Sequence, residues 1–311
     1  MESVAPGRNG GGWFDPYDCD RIDTYLEQAY LTAFSKPKEM MMFCWPSLAG
    51  DKRATPLGFM YQKLDNILGQ LGNPLGLKVY IPFNSQGEDH VEDYLGMAGI
   101  PMEPVCDFPE FGQANKNKVL LTAAALKDEK IVEKVRDFVV AGGHVIVTSG
   151  FMIGALKQYP EISELTSVSY NDRVLTADEF QSPSSIGFGK EYIKSKSAIT
   201  FPLLEHRNNV SWSLMNAGHG EYHESILCYD TYGKGRLTTL VLPDMPSKIY
   251  ELPAQVLTAI RRELEVSDIW IDGAAGVSLF TYDNKTFGLY TYTWDGCTPQ
   301  EFTIYVKGEH K

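Results

Sequence analysis

Three groups of residues in the chain are of types that carry chemistry. The first is His219-Gly-Glu-Tyr-His223, two imidazoles at i and i+4 with Glu221 between them and Glu224 after. On a helix that spacing aims both side chains at one metal ion. Gly218 and Gly220 flank His219 and oppose a helix, and no third ligand stands nearby. Two solvated loop histidines are therefore expected, and no metal. The second is Ser149, placed between an apolar run and Gly150. A serine nucleophile needs a G-x-S-x-G turn and a histidine partner. Neither surrounds Ser149, which fits a helix cap or turn residue. The third group is aromatic. Trp45 closes the run Met-Met-Met-Phe-Cys-Trp (40–45), and Trp13, Phe14, Asp15 and Tyr17 come after a glycine-rich opening. Tryptophan at the C-terminal lip of a strand offers a flat apolar face that suits the C–H face of a sugar ring. A core tryptophan and an opening loop packed over the rest of the segment account for the same residues.

Composition sets the frame for these groups. In 311 residues, 43% are apolar and 22% charged, which describes globular material with room for two or three domains. The net charge of −12 opposes nucleic-acid binding, and no basic stripe relieves it. No apolar run is long enough to span a membrane as a helix. Five cysteines are scattered without C-x-x-C spacing, so neither a disulfide framework nor a zinc site is expected. No secretory leader opens the chain, and no cellular location can be drawn from that. The dinucleotide and P-loop fingerprints are absent, and Gly-Phe-Gly-Lys-Glu-Tyr (187–192) reads as a loop. No cofactor is expected.

The elements that must position these residues show in the periodicity. Ile22, Tyr25, Leu26, Ala29, Tyr30 and Ala33 recur at helical spacing within 20–36, with Asp20 as a candidate cap and Pro37 as the stop. The run 40–45 reads as a strand buried on both faces, and a second helix is expected over 57–71. Strands over 77–83, 102–108, 117–125 and 144–149 alternate with helices over 88–99 and 127–143. Short connections make these right-handed crossovers and a parallel sheet. The signal weakens from 165 to 235, and a helix over 251–266 returns a further strand–helix pair. After 267, short alternating strands with Asp-Asn-Lys-Thr and Asp-Gly turns read as a small antiparallel domain. The expected fold is α/β. A partial (β/α) barrel segment (1–75) precedes a doubly wound, amidotransferase-like (flavodoxin-like) parallel sheet (76–266), and an antiparallel β-domain (267–311) closes the chain.

The helix containing Gln-Ala-Tyr-Leu-Thr-Ala-Phe-Ser-Lys-Pro-Lys-Glu, the strand ending in Trp45, and the order of the later domains resemble the C-terminal half of the β-galactosidases of glycoside hydrolase family 42. Ser-Lys-Pro-Lys-Glu departs from that family's His-Gly-Ala-Asp. The resemblance implies retaining hydrolysis of galactosides and an amidotransferase-like domain that makes trimer contacts without chemistry of its own. It also reaches the opening Met1-Glu2-Ser3, with Asn9 and Trp13 after it, and places Glu2 where the nucleophile stands. Trp45, Trp13 and Asp15 then fall at the sugar site. A full barrel takes about 250 residues, and the family's acid/base carboxylate lies on an earlier strand, so this chain alone is expected to be inactive and prone to associate. A non-catalytic oligomerisation or carbohydrate-binding protein is the other expectation.

Overall fold

The computed structural model describes residues 11–17, 19, 21–183, 192–206, 211–292 and 301–308. In chain order the first elements are β1 (Gly12–Phe14), α1 (Ile22–Phe34), β2 (Met40–Met42), α2 (Trp45–Leu48), α3 (Ala54–Leu68) and β3 (Pro74–Leu75). Next come β4 (Leu77–Tyr80), α4 (Val91–Met97), β5 (Met102–Val105), β6 (Lys118–Leu121), α5 (Ile131–Ala141), β7 (His144–Thr148) and α6 (Ser149–Gln158). Then five strands run in succession: β8 (Val168–Gln181), β9 (Ile193–His206), β10 (Trp212–His219), β11 (Tyr222–Tyr232) and β12 (Gly235–Leu240). The chain ends with α7 (Ala254–Leu264), β13 (Ile269–Asp272), β14 (Val277–Tyr282), β15 (Phe287–Thr291) and β16 (Thr303–Val306). Two compact units result, Met1–Leu75 with Leu279–Tyr290 and Gly76–Ser278 with Thr291–Lys311.

In the first unit β1 and β2 pair in parallel, with Trp13 opposite Met41 and Phe14 opposite Met42. α1 buries Tyr25, Ala29 and Ala33, and α3 buries Leu57, Met60 and Leu64. These positions lie three or four residues apart and line one side of each helix. Phe14 joins them, its ring 5.4 Å from that of Tyr25. Lys36 Nζ donates to the carbonyls of Leu71 and Gly72 after α3, and the Tyr282 hydroxyl donates to Phe34 O. The run 40–45 departs from its expected burial on both faces. Met41, Met42 and Phe43 are 64, 43 and 46% exposed. β2 has one strand neighbour, and among the described residues nothing covers its second face, which a buried parallel strand requires.

The second unit is built on a nine-stranded sheet of order β5-β4-β6-β7-β12-β11-β10-β8-β9. β5, β4, β6, β7 and β12 are parallel. α5 buries Ile131, Val132, Val135, Phe138 and Val139 and ends at Gly142, whose φ of 113° a side chain would oppose. The expected all-parallel sheet is corrected to a mixed one. Residues 168–240 add β11, β10, β8 and β9 as antiparallel neighbours. The last strands do not stand apart as one domain: β13 pairs with β16, and β14 pairs with β3 in the first unit.

Two buried polar groups organise this unit. Arg261 is 2% exposed and donates to the carbonyls of Ala98, Gly273 and Ala274 at 2.7, 2.6 and 2.8 Å, with a longer bond to Ile271 O. Burial pulls its guanidinium down to about 10. Both oxygens of Glu263 accept from Arg236 Nη2, at 2.7 and 2.8 Å, and Oε1 also accepts from the Thr238 hydroxyl at 2.7 Å. Burial opposes ionisation of Glu263, but the hydrogen bonds and charges of His144, Arg236 and Thr238 outweigh it and hold the carboxyl at about 2.

A depressed carboxylate contributes stability that is present above its unfolded value, about 4.3, and is lost as pH falls toward the folded one. Urea titrations between pH 5 and pH 2 are expected to show that loss in the wild type and a flatter acid limb in Glu263→Gln. In the first unit, Phe14→Ala is expected to cost about 3–5 kcal/mol through the cavity it leaves. Met41→Ala, on the open face of the same strand pair, should change stability by less than about 0.5 kcal/mol.

Candidate functional site

In the first unit Trp13, Phe43 and Tyr17 form an exposed aromatic cluster. Trp13 is 60% exposed and Trp45 73% exposed. The Trp13 and Phe43 rings meet edge to face at 5.7 Å, and Tyr17 lies 6.1 Å from Phe43. Parallel pairing explains why Trp13 and Met41 point the same way, since partners in register share a face. Trp45 does not end a strand. It starts the short helix α2, after β2 has stopped at Met42. It is not part of a core among the described residues. Glu2 and Asn9 lie outside the described residues.

Asp15 is held by its loop. Its Oδ1 accepts the Tyr17 N–H at 2.9 Å, and Gln28 on α1 brackets its backbone through N–H and carbonyl at 3.4 and 3.3 Å. Arg53 anchors the same loop, donating to Pro16 O at 2.8 Å and Cys19 O at 3.0 Å. Asp51 holds that guanidinium at 2.7 and 2.8 Å, and the contact draws the Asp51 carboxyl down to about 2. The Cys44 thiol stands between the Ser47 and Tyr17 hydroxyls, 3.2 Å from each, and these hydrogen bonds lower it. Sequence reasoning passed over Arg53 and Asp51, because Asp-Lys-Arg in a loop looks like solvated charge. Trp13 and Trp45 are thus both exposed, and the Asp15 carboxylate is held by the Tyr17 N–H.

Two other candidates resolve differently. Ser149 opens α6, is buried, and its Oγ accepts the Leu242 N–H at 3.1 Å. The neighbouring Thr148 caps the helix by accepting from Phe151 N. At the same crevice, the Glu88 carboxylate accepts the N–H groups of Ala123 at 2.7 Å and Gly150 at 2.9 Å, together with the Thr148 hydroxyl. A Cβ on Gly150 would stand 2.2 Å from the Glu88 carboxyl carbon, so only glycine admits this approach. Burial pushes Glu88 up, against those hydrogen bonds. Its position just before a helix gave no sequence signal for this role.

His219 and His223 lie neither on a helix nor in a loop. They face each other's strands across a tight β10–β11 hairpin, Gly218 opposite His223 and His219 opposite Tyr222. His219 Nδ1 is 2.7 Å from Asp178, which raises the imidazole. His223 stacks on Tyr192 at 5.0 Å. No group of three or more ligating side chains able to hold a metal occurs among the described residues. No described helix is long and apolar enough to cross a membrane.

Comparison with known proteins bears on both units. Residues 1–66 match a family model described as probable glycosyl hydrolase, catalytic domain. No curated protein matches the chain. Among solved structures, a catalytic mutant of Gan42B, a GH42 β-galactosidase from G. stearothermophilus, shares the fold. Its TM-score is 0.51 at 11% identity, over 85% of this chain and 44% of that one. A second Gan42B structure gives 0.51 at 12% identity, over 93% of this chain and 50% of that one. The chain thus spans half or less of the β-galactosidase whose fold it shares. Residues 72–245 match the model for the second domain of the uncharacterized protein SSO3021, and because that match takes in more than half of the chain, the chain belongs to the SSO3021 second-domain family.

Proposed function

We propose that residues 1–75 are closing elements of a β-galactosidase-like catalytic barrel, with Glu2 as nucleophile and Trp45, Trp13 and Asp15 as sugar-contacting residues. The supporting observation is the glycosyl hydrolase match over 1–66, on a segment whose two parallel strands and adjoining turn bear exposed tryptophans. In retaining hydrolysis a carboxylate attacks the anomeric carbon while a second, protonated carboxyl about 5–5.5 Å away gives its proton to the leaving oxygen. Glu2 takes the first role. The second role is assigned to no residue of these 311, so the chain by itself is not expected to turn over substrate. The partner chemistry is a galactoside-like carbohydrate. The parallel half of the large sheet, in the order second-first-third-fourth strand, is consistent with an amidotransferase-like domain, and we assign it homotrimer assembly. A non-catalytic carbohydrate-binding or oligomerisation role is the second reading. It is favoured by the Glu88 and Ser149 arrangement, which supplies no nucleophile to the crevice of that sheet.

Tryptophan emission titrated with galactose tests the sugar surface. Trp45→Ala and Trp13→Ala should each weaken binding by up to about ten-fold. Nitrophenyl β-galactoside is expected to stay intact with the chain alone, and sedimentation should show a trimer. Galactose binding indifferent to both tryptophans would remove the proposed site. Hydrolysis of nitrophenyl β-galactoside by the chain alone, unchanged in Glu2→Gln, would remove both the expected inactivity and the nucleophile.

A further inference from the structure

A cavity of about 460 Å3 opens in the antiparallel half of the large sheet, lined by Ser169, Tyr170, Asn171, Glu205, His206 and Glu224. Strand geometry puts it there. Ser169 on β8 lies opposite Glu205 on β9, and the register then slips between Tyr170 and Val174. Such a bulge bends a strand and re-aims its side chains. β11 carries Glu224 and touches β9, although β10 and β8 separate them in the sheet order. The sheet therefore curls, and three strands contribute to one concavity.

Each lining group has a definite state. Asn171 Nδ2 and Arg173 Nη1 donate to opposite oxygens of Glu205, both at 3.0 Å, and fix its carboxylate. Burial pushes the Glu224 carboxyl up, against a hydrogen bond from Tyr222. Burial also pushes the His206 imidazole down, with Asp230 opposing. Both His206 ring nitrogens are shielded from solvent, and neither has a hydrogen-bond partner among the described residues. Native interiors rarely leave such a group without one. Tyr170 brings an aromatic ring to the wall, and the Lys157 ammonium sits 5.4 Å from its centroid.

This set discriminates among ligand classes. Glu205 is already paired with Arg173 and Glu224 is pushed toward its neutral form, so the lining leaves no cation free to hold an anion among its own residues. A divalent metal has no set of three ligands among the described residues. A neutral polyol suits the set, because each hydroxyl both donates and accepts, and the cavity offers carboxyl groups, an amide and a hydroxyl, with the His206 ring beside them. The volume is that of a small-molecule site, and the Tyr170 ring can meet an apolar ring face. We propose that this cavity is a binding site for a monosaccharide-sized polyol, separate in residues and in unit from the aromatic surface of the first unit.

The test tracks the His206 imidazole resonance of the full chain, assigned with His206→Gln. Galactose and glucose serve as neutral probes, glucosamine as a cation and glucuronate as an anion. The neutral sugars are expected to shift the resonance saturably. Glu224→Gln, close in shape, and Asn171→Trp, at an exposed position on the rim, should each weaken binding about ten-fold. Trp45→Ala should leave this signal unchanged, so failure here and failure of the proposed barrel site are distinguishable. No response to either neutral sugar, a stronger response to glucuronate or glucosamine, or indifference to both cavity variants would overturn the proposal.

Discussion

A parallel pair of short strands buries one face at most when a single helical layer covers it. That constraint governs the first unit. α1 and α3 close over Phe14, while Trp13 and Met41, paired in register, face away. Exposed apolar side chains in such a group cost free energy that a single surface leucine does not. The cost is understandable if the surface meets something, and a sugar ring or further barrel strands meet that condition in different ways. The loop architecture favours a site. Arg53, held by Asp51, fixes the carbonyls of Pro16 and Cys19 by directed bonds.

The second unit rests on a different balance. Arg261 lies inside the protein without a carboxylate hydrogen bond and is solvated by backbone carbonyls instead. Three of those carbonyls belong to 271–274, so the cation fixes where the chain goes after α7. Replacing a buried charge by an apolar side chain can be neutral when the partners are rebuilt as well. Here the partners are backbone and cannot be, which makes this arginine an organiser of the C-terminal path.

The same physics decides how much of the fold was legible in the residues alone. The helix over 127–143 and the strand after it were plain, because one apolar stripe and a doubly buried strand leave strong periodic signals. Residues 225–230 and the run from Gly235 also read as strands, as β11 and β12 are, but β8 to β10 were not plain. β8 and β9 run 14 residues each with slips at Tyr170/Val174 and Ala177/Glu179, and the second, an odd one, inverts the alternation that would betray a strand. Met40–Met42 misled in the opposite direction, since an apolar run reports a tendency to be covered and not the cover itself. Trp13, Asp15 and Trp45 could be singled out by type, and Trp13 and Trp45 share exposure on the first unit. Glu88 could not, because its partners Ala123 and Gly150 stand 35 and 62 residues further on.

Glu88 bears directly on what the parallel sheet can do. In an open α/β sheet the crevice at the strand C-termini, where the order reverses, is the natural ligand site. β4 and β6 adjoin at that point here. An acyl-transfer site in such a crevice needs free backbone N–H groups to meet a developing oxyanion. The N–H groups in question, of Ala123 and Gly150, are already bound to the Glu88 carboxylate, and Ser149 is turned to the Leu242 amide. A substrate would have to displace a buried side chain that closes two helix starts at once. The Ala123 and Gly150 N–H groups are thus already taken, although a cavity of about 250 Å3 lined by Glu88, Thr122 and Ala124 remains beside them.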